Sequence, residues 1–318
     1  MKALLLTLCI TLCSCQSEKS SALTFNGVFF DTVIQVTIYD NQNQALIDEI
    51  EKLCQKYDTL FSRTNPNSEI SKVNQAKGKP VVLSDETADI IKTSLIYSEY
   101  TDGLFDISIA PVTDLWDFKA EKSMIPNQSS IDEALSHVDY KKIHLNGNIL
   151  TLTDPDMKLD LGGIAKGYIA DCIAQYLKDK GVESALINLG GNVLAIGEKP
   201  EKTDFVIGIQ KPFDEAGVPI TSIKLKNASS VTSGIYERYF EKNGQIYHHI
   251  LDTKTGYPCK NNLQSVTIIS RSSTNADALS TSCFLLGLDK GMQLINATKD
   301  TEAIFITDDN KLHYSQKL

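Results

Sequence analysis

The sequence predicts an α+β protein built on antiparallel sheet, and three features carry that expectation. Two Asn-Gly pairs, Asn146-Gly147 and Asn243-Gly244, each lie between β-rich segments, the strongest short-range signal for a hairpin. Residues 44–61 repeat apolar positions at helical spacing. Strand and helix signals then alternate irregularly over residues 24–318, with no long linker, repeat or low-complexity stretch between them.

In chain order, Val33-Ile34-Gln35-Val36-Thr37-Ile38-Tyr39 is β-rich with a period of two and reads as a strand. Leu46, Ile47, Ile50, Leu53, Cys54, Tyr57, Leu60 and Phe61 form one stripe of an amphipathic helix. Ser84 is suited to cap a second helix, with Asp85 and Glu86 in the first turn, where the macrodipole favours anions. Ile90, Ile91, Leu95 and Tyr97 are its apolar residues, and Gly103 can end it. Ile143-His144-Leu145 and Ile149-Leu150-Thr151 flank the first Asn-Gly turn. Residues 166–180 read as a helix carrying Ile169, Ile173, Tyr176 and Leu177, closed by Gly181, and 185–189 as a buried strand. The second Asn-Gly joins 236–240 to 246–251. A strand at 266–270 precedes a helix starting near Asn275, and the C-terminus reads as a strand pair, 303–307 and 312–314, around Asp308-Asp309-Asn310.

Of 318 residues, 42% are hydrophobic and 22% charged, the balance of a chain with a real core. The net charge of −9 argues against a nucleic-acid partner, because phosphate neutralisation requires a basic stripe. A small anion can still be held by backbone N–H groups and one bound cation. Met1-Lys2 and the apolar run Ala3 to Leu12 have signal-peptide proportions, well short of the roughly 20 apolar residues of a membrane span. Leu12-Cys13-Ser14-Cys15 resembles the bacterial lipobox, with a plain secretory signal as the alternative. The resemblance implies a signal at 1–14, lipidation of Cys15 with a polar tether over 15–23, and a folded domain over 24–318. Such a protein sits in a bacterial cell envelope, lipid-anchored on the extracytoplasmic side of a membrane. Cys54, Cys172, Cys259 and Cys283 remain. They show no CxxC or Cys/His spacing that would suggest zinc, and no disulfide can be assigned among them. Cys54 and Cys172 fall on apolar helix faces.

Three polar or glycine-bearing clusters stand out. Asp160-Leu161-Gly162-Gly163-Ile164-Ala165-Lys166-Gly167-Tyr168 enters a helix, where glycines let a ligand approach and unpaired N–H groups face an anion. Lys166 could set a charge on a phosphate. A plain strand–helix turn fits this segment equally well. Asn188-Leu189-Gly190-Gly191-Asn192 reads by itself as a tight turn. The third cluster runs from Thr232-Ser233-Gly234 through His248-His249-Ile250-Leu251-Asp252 and Thr255-Gly256 to Asn275-Ala276-Asp277-Ala278-Leu279-Ser280-Thr281. Asp277 and Thr281 are four apart, so a helix puts both on one face, and both are hard oxygen donors of the kind that hold Mg²⁺ or Ca²⁺. A Thr bonding back to the preceding turn is the commoner use of such a pair. His248 and His249, on one strand, face opposite ways, so at most one enters a site directly.

Taken together with Phe30-Asp31-Thr32, the segment Ser62 to Ile70, and Gly103 to Pro111 with Leu115-Trp116, these clusters resemble the ApbE family of FAD:protein FMN transferases. The likeness extends over nearly the whole mature length. It implies a single domain of the ApbE, T-fold-related type. It also implies a metal, Mg²⁺ or else Ca²⁺, held by the Gly163 carbonyl, Asp277 and Thr281, with FAD as substrate. Phe30 and Thr64 would lie against the flavin. Leu104, Phe105, Asp106, Asp160 and Lys166 would meet other parts of the dinucleotide, and Ile250 and Leu251 would line the pocket beside His249. The implied reaction is attack by an acceptor protein's threonine on the FMN-side phosphorus, with AMP leaving and a phosphoester remaining. Asp277 acts through the metal, and His249, with a pKa near neutrality, is the candidate to activate the hydroxyl. The acceptor class implied is a subunit of a membrane redox pump. Two positions depart from the pattern. Asp31 stands where relatives carry glycine, and Thr64 stands where many carry an aromatic residue, so weaker FAD retention or easier water entry is expected. An FAD pyrophosphatase and a non-catalytic FAD-binding lipoprotein are the competing readings.

Overall fold

A computed structural model describes residues 22–118, 124–215 and 217–316; the leader and Cys15 lie outside them. Strand β1 (Leu23–Phe29) turns through Phe30 and Asp31 into β2 (Thr32–Ile38), with Phe29 opposite Thr32. Helix α1 (Ala45–Phe61) follows and buries Leu46, Ile50, Cys54, Tyr57 and Phe61 of the predicted stripe, with Ile47, Leu53 and Leu60 half-buried beside them. Next come α2 (Glu69–Gln75), the short β3 (Val81–Val82) and α3 (Asp85–Tyr100). Ser84 caps α3 as expected, its hydroxyl accepting from the Thr87 N–H, and Gly103 follows the helix end at φ +75°. Helices α4 (Ala110–Thr113) and α5 (Gln128–Ser136) lead to the first Asn-Gly hairpin, β4 (Ile143–Asn146) with β5 (Ile149–Leu152). Gly147 takes φ +56° in that turn.

Helix α6 (Ala165–Asp179) ends before Gly181 at φ +79°, and β6 (Ala185–Leu189) and β7 (Asn192–Ile196) form the next hairpin. Strands β8 (Phe205–Gln210) and β9 (Pro219–Leu225) pair with each other, and β10 (Ala228–Gly234) returns to the main sheet. The second Asn-Gly hairpin comprises β11 (Tyr239–Lys242) and β12 (Gln245–His248). It is shorter than the sequence suggests: residues 236–238 and 249–251 lie outside the strands, so His249 sits just past a strand end. Strand β13 (Leu263–Ser270) precedes α7 (Ser273–Ala297), which starts two residues before Asn275 and breaks at Gly287, φ 79°. Strands β14 (Thr301–Thr307) and β15 (Leu312–Tyr314) close the chain.

The main sheet has eight strands in the order β1-β2-β6-β7-β10-β13-β14-β15. Every neighbouring pair is antiparallel, so the class is α+β as predicted. Helices α1, α6 and α7 pack on one face around the largest core cluster. The other face is covered by the β8–β9 pair, whose Phe205, Ile209 and Leu225 meet Ala195, Ile304 and Ile306. The antiparallel register has a consequence for function. It brings the Phe30-Asp31 turn, the Gly190-Gly191 turn and the Ser233-Gly234 end of β10 to the same end of the sheet. All four cysteines of the described residues are free. No helix among the described residues is long and apolar enough to cross a membrane.

Candidate active site

Helices α6 and α7 run antiparallel and meet at one-turn intervals, and each meeting has its own chemistry. At the far end Asp171 caps α7: its carboxylate accepts from the Ser273 and Thr274 N–H groups, both at 2.9 Å, and from the Thr274 hydroxyl at 2.7 Å. One turn nearer the site is Gly167. A Cβ there would lie 2.2 Å from the Ser273 carbonyl oxygen and 2.8 Å from the Asp277 Cβ, so only glycine permits this approach. Its N–H donates to Asp277 Oδ2 at 2.8 Å. Last comes Gly163, whose modest clearance would put a Cβ 3.6 Å from Thr281 Oγ1 and 3.0 Å from the Phe105 ring.

Gly163, Asp277 and Thr281 therefore converge. Asp277 is 2% exposed, which costs a carboxylate its hydration unless partners are supplied. Its oxygens have the Gly167 N–H and, 3.6 Å from Oδ1, the Lys166 ammonium. A carboxylate, a hydroxyl and an adjacent glycine turn form a small set of hard oxygen donors. That chemistry fits Mg²⁺, which takes few protein ligands and completes its shell from phosphate and water. A separate group, His137, Asp154 and Asp156, has ligand atoms within 4.8 Å of one another. Its carboxylates are already paired with Lys142 at 3.3 Å and Lys77 at 2.6 Å, away from the predicted donors.

The glycine turn is itself braced. Asp160 Oδ1 accepts from the Gly162 N–H at 2.8 Å, and Asp160 Oδ2 lies 3.1 Å from Arg63 Nε. Arg63 also pairs with Asp114. Burial works against the Arg63 charge, but Asp160, Asp114 and Asp31 outweigh it and hold its pKa above the ordinary value. Asp31 thus acts on the cation that also braces the glycine turn through Asp160. Phe30 and Asp31 take φ 54° and 61°, the left-handed region that a two-residue hairpin turn of this hand requires at both positions. Bulky Phe30 is a costly residue there, and such strain concentrates at ligand clamps. Thr64, next to Arg63, is exposed, with its hydroxyl 3.2 Å from that of Ser62.

His248 ends β12 and His249 lies just past it, off the strand on which the sequence placed both. His248 is buried; its Nε2 donates to the Cys259 carbonyl at 3.1 Å and its Nδ1 accepts from the Ile250 N–H at 3.3 Å. Burial pulls its pKa down to about 4. His249 is half-buried, and its Nδ1 lies 3.3 Å from the Arg238 carbonyl. A carbonyl can only accept, so Nδ1 carries the proton and Nε2 keeps its lone pair. Burial, then Arg238, His248 and Lys166, lower the His249 pKa to about 3. Glu237 lies in the same neighbourhood: burial raises its pKa, against the pull of Lys166 and Arg238. No motif in the sequence marks Glu237 or Arg238, because their place depends on where β10 turns into β11.

The remaining predicted residues are more dispersed. Phe105 is buried beneath Gly163, and Leu104 packs against the same core. Ile250 belongs to that core, whereas Leu251 joins a second cluster around Trp116. Asp106 is spent within the protein: Oδ1 accepts from the Ser108 N–H and hydroxyl at 2.8 and 2.7 Å, and Oδ2 from the Tyr140 N–H at 2.8 Å. It fastens the 103–111 segment to residue 140.

Fold and site together define a protein that sets an oxygen-donor site on a glycine-mediated helix crossing beside an antiparallel sheet. The ApbE family model matches residues 30–305, and the chain belongs to the ApbE family. It is 37% identical to the FAD:protein FMN transferase of Klebsiella pneumoniae (strain 342), covering 89% of each chain. It is 32% identical to the FAD:protein FMN transferase of Treponema pallidum (strain Nichols), covering 89% of this chain and 84% of that one. The crystal structure of an ApbE protein from Thermotoga maritima superposes with a TM-score of 0.85 at 32% identity, over 93% of this chain and 98% of that one.

Proposed function

We propose that this protein is an FAD:protein FMN transferase that, with a divalent cation, moves the FMN half of FAD onto a threonine of an acceptor protein and releases AMP. The observation that carries the reading is the convergence of Gly163, buried Asp277 and Thr281 across the α6–α7 crossing. A Mg²⁺ ion held there would neutralise diphosphate charge, the main need of phosphoryl transfer. Lys166 adds a second positive charge beside Asp277. The threonine oxygen forms a bond to the FMN-side phosphorus while the bond to the bridging oxygen breaks, and AMP takes that oxygen. His249 Nε2, unprotonated because Nδ1 is committed to Arg238, accepts the hydroxyl proton. Its low pKa makes it a weak base alone, and the negative charge of a bound diphosphate acts in the opposite direction to Arg238 and Lys166.

The N-terminal pattern supports lipidation at Cys15 after a leader at 1–14, with residues 24–318 working at the extracytoplasmic face of a membrane. A subunit of a membrane redox pump fits that location as acceptor. The test is incubation with FAD, Mg²⁺ and a threonine-bearing acceptor peptide, followed by mass spectrometry. FMN mass on the threonine is expected, lost on chelation and lost in His249→Ala with FAD binding retained. Free FMN without modified peptide would instead make the protein a pyrophosphatase, and intact FAD would make it a binder.

A further inference from the structure

Thr281 can offer a lone pair to a cation only if its own proton points elsewhere, and the structure provides a place for it. The Thr281 hydroxyl lies 3.1 Å from Ser233 Oγ on β10, and Ser233 Oγ lies 2.7 Å from Ser280 Oγ. Ser280 is fully buried, and its hydroxyl donates to the Asp277 carbonyl at 2.8 Å. A hydroxyl has one proton and a carbonyl has none. Ser280 therefore gives its proton to the carbonyl and must accept from Ser233. Ser233 then has no proton left for Thr281 and must accept from it. The direction is fixed along the whole chain: Thr281 to Ser233 to Ser280 to the Asp277 carbonyl.

From this geometry we infer that Ser233, which is itself not a cation ligand, is a positioning residue that orients the Thr281 hydroxyl so that its lone pairs face the Gly163 turn. This rests on the cation site proposed above. The relay closes on Asp277, the residue whose side chain supplies the carboxylate of the same site, so one helical turn carries both the charge and the terminus of the proton chain. Hydrogen-bonded partners that orient a ligand group typically contribute about 10- to 100-fold in metal affinity. The sequence brings Ser280 and Thr281 together, but Ser233 lies 48 residues away and reaches them only because β10 runs beneath α7.

The experiment compares Ser233→Ala, Ser233→Thr, Ser280→Ala and Thr281→Val with the parent, measuring Mn²⁺ binding in the presence of ADP by loss of the free-ion EPR signal. The Mg²⁺ concentration for half-maximal FMN transfer is the second readout. Ser233→Ala should weaken Mn²⁺ binding about tenfold and raise the Mg²⁺ requirement equally, with the metal-saturated rate within about twofold of the parent. Ser233→Thr, which keeps the hydroxyl, should restore most of the affinity. Ser280→Ala removes the link to the Asp277 carbonyl and should also weaken Mn²⁺ binding, by less than Ser233→Ala, giving a second reading if Ser233→Ala folds poorly. Unchanged Mn²⁺ affinity in Ser233→Ala, where Thr281→Val is impaired, overturns the relay alone. Unchanged affinity in Thr281→Val as well overturns the cation site and the relay with it.

Discussion

At the crossing of α6 and α7 the working atoms are held by two helices in register, whereas on the side proposed to meet the flavin they sit on turns. Gly163, Gly167, Asp277 and Thr281 are fixed by backbone approach and by hydrogen bonds between elements more than 100 residues apart. Phe30 and Asp31 lie at positive φ, Thr64 is exposed, and His249 is just beyond the end of β12. The comparison separates two design problems. Charge neutralisation on a diphosphate tolerates little displacement, so it is built where movement would also disrupt the core. Contact with a flavin ring is broad and apolar, so it can be assembled from loops and retuned there. Changes to the backbone approach at the crossing should therefore cost folding and catalysis together, loss of charge there should cost mainly catalysis, and changes at the turns should cost mainly affinity.

Gly167→Ala is the severest test. The added methyl would overlap the Ser273 carbonyl, and neither helix can withdraw without disturbing the Asp171 cap one turn away. A loss of about 3 kcal/mol or more in denaturant unfolding is expected, and a variant with the parent's midpoint would show that the crossing is not rigid. Asp277→Asn sharpens the same half in a different way. The amide oxygen can still accept from the Gly167 N–H, so stability should change by about 1 kcal/mol or less. Transfer should fall about a hundredfold or more, because the charge facing the proposed cation is gone. Equal loss of stability and activity would mean that Asp277 serves the fold first.

At the end of β12, beside the turns, lies an acid weakness. His248 is held neutral by burial, with its pKa lowered from 6.5 to about 4. The unfolded chain therefore takes up a proton first as pH falls below 6.5, and stability is lost from there down to about pH 4. Asp106, whose pKa burial raises, acts in the opposite sense nearer the carboxylate range. His248 alone should contribute a loss of about 2 kcal/mol between pH 6.5 and about 5, read as a falling urea midpoint. His248→Gln should reduce that slope without abolishing it, because His249, lowered to about 3, acts in the same sense, and a slope equal to the parent's would assign the acid sensitivity elsewhere.

How much of this could be read from the sequence follows the same division. The Asp277–Thr281 spacing, the glycine entry to α6 and both Asn-Gly turns are local patterns, and local geometry decides them. The Gly167–Ser273 approach, the Asp171 cap and the Ser233 relay depend on the register between distant segments, which no local pattern encodes. Asp106 shows the same limit from the other side: its motif is visible, but the direction of its carboxylate, toward Ser108 and Tyr140, is set by tertiary packing. The shortened second hairpin arises because residues 249–251 leave the strand, and Leu251 bridges instead to Pro258.

The smallest effect expected is at Thr64, and it bears most directly on the idea that the flavin side is adjustable. Thr64 is exposed and its hydroxyl bond to Ser62 is local, so Thr64→Tyr should leave stability within about 0.5 kcal/mol. An aromatic ring there could stack on a flavin, an interaction worth about 0.5–1.5 kcal/mol, so FAD should dissociate roughly three- to tenfold less readily. Fluorescence titration with FAD reads this directly. The same substitution should lower any release of free FMN in the absence of acceptor, because a covered ring leaves less room for water at the phosphorus. Tighter FAD binding without that change would separate ring packing from water exclusion. No tightening at all would place the flavin away from Thr64 and leave Phe30 as the sequence-identified residue against its ring.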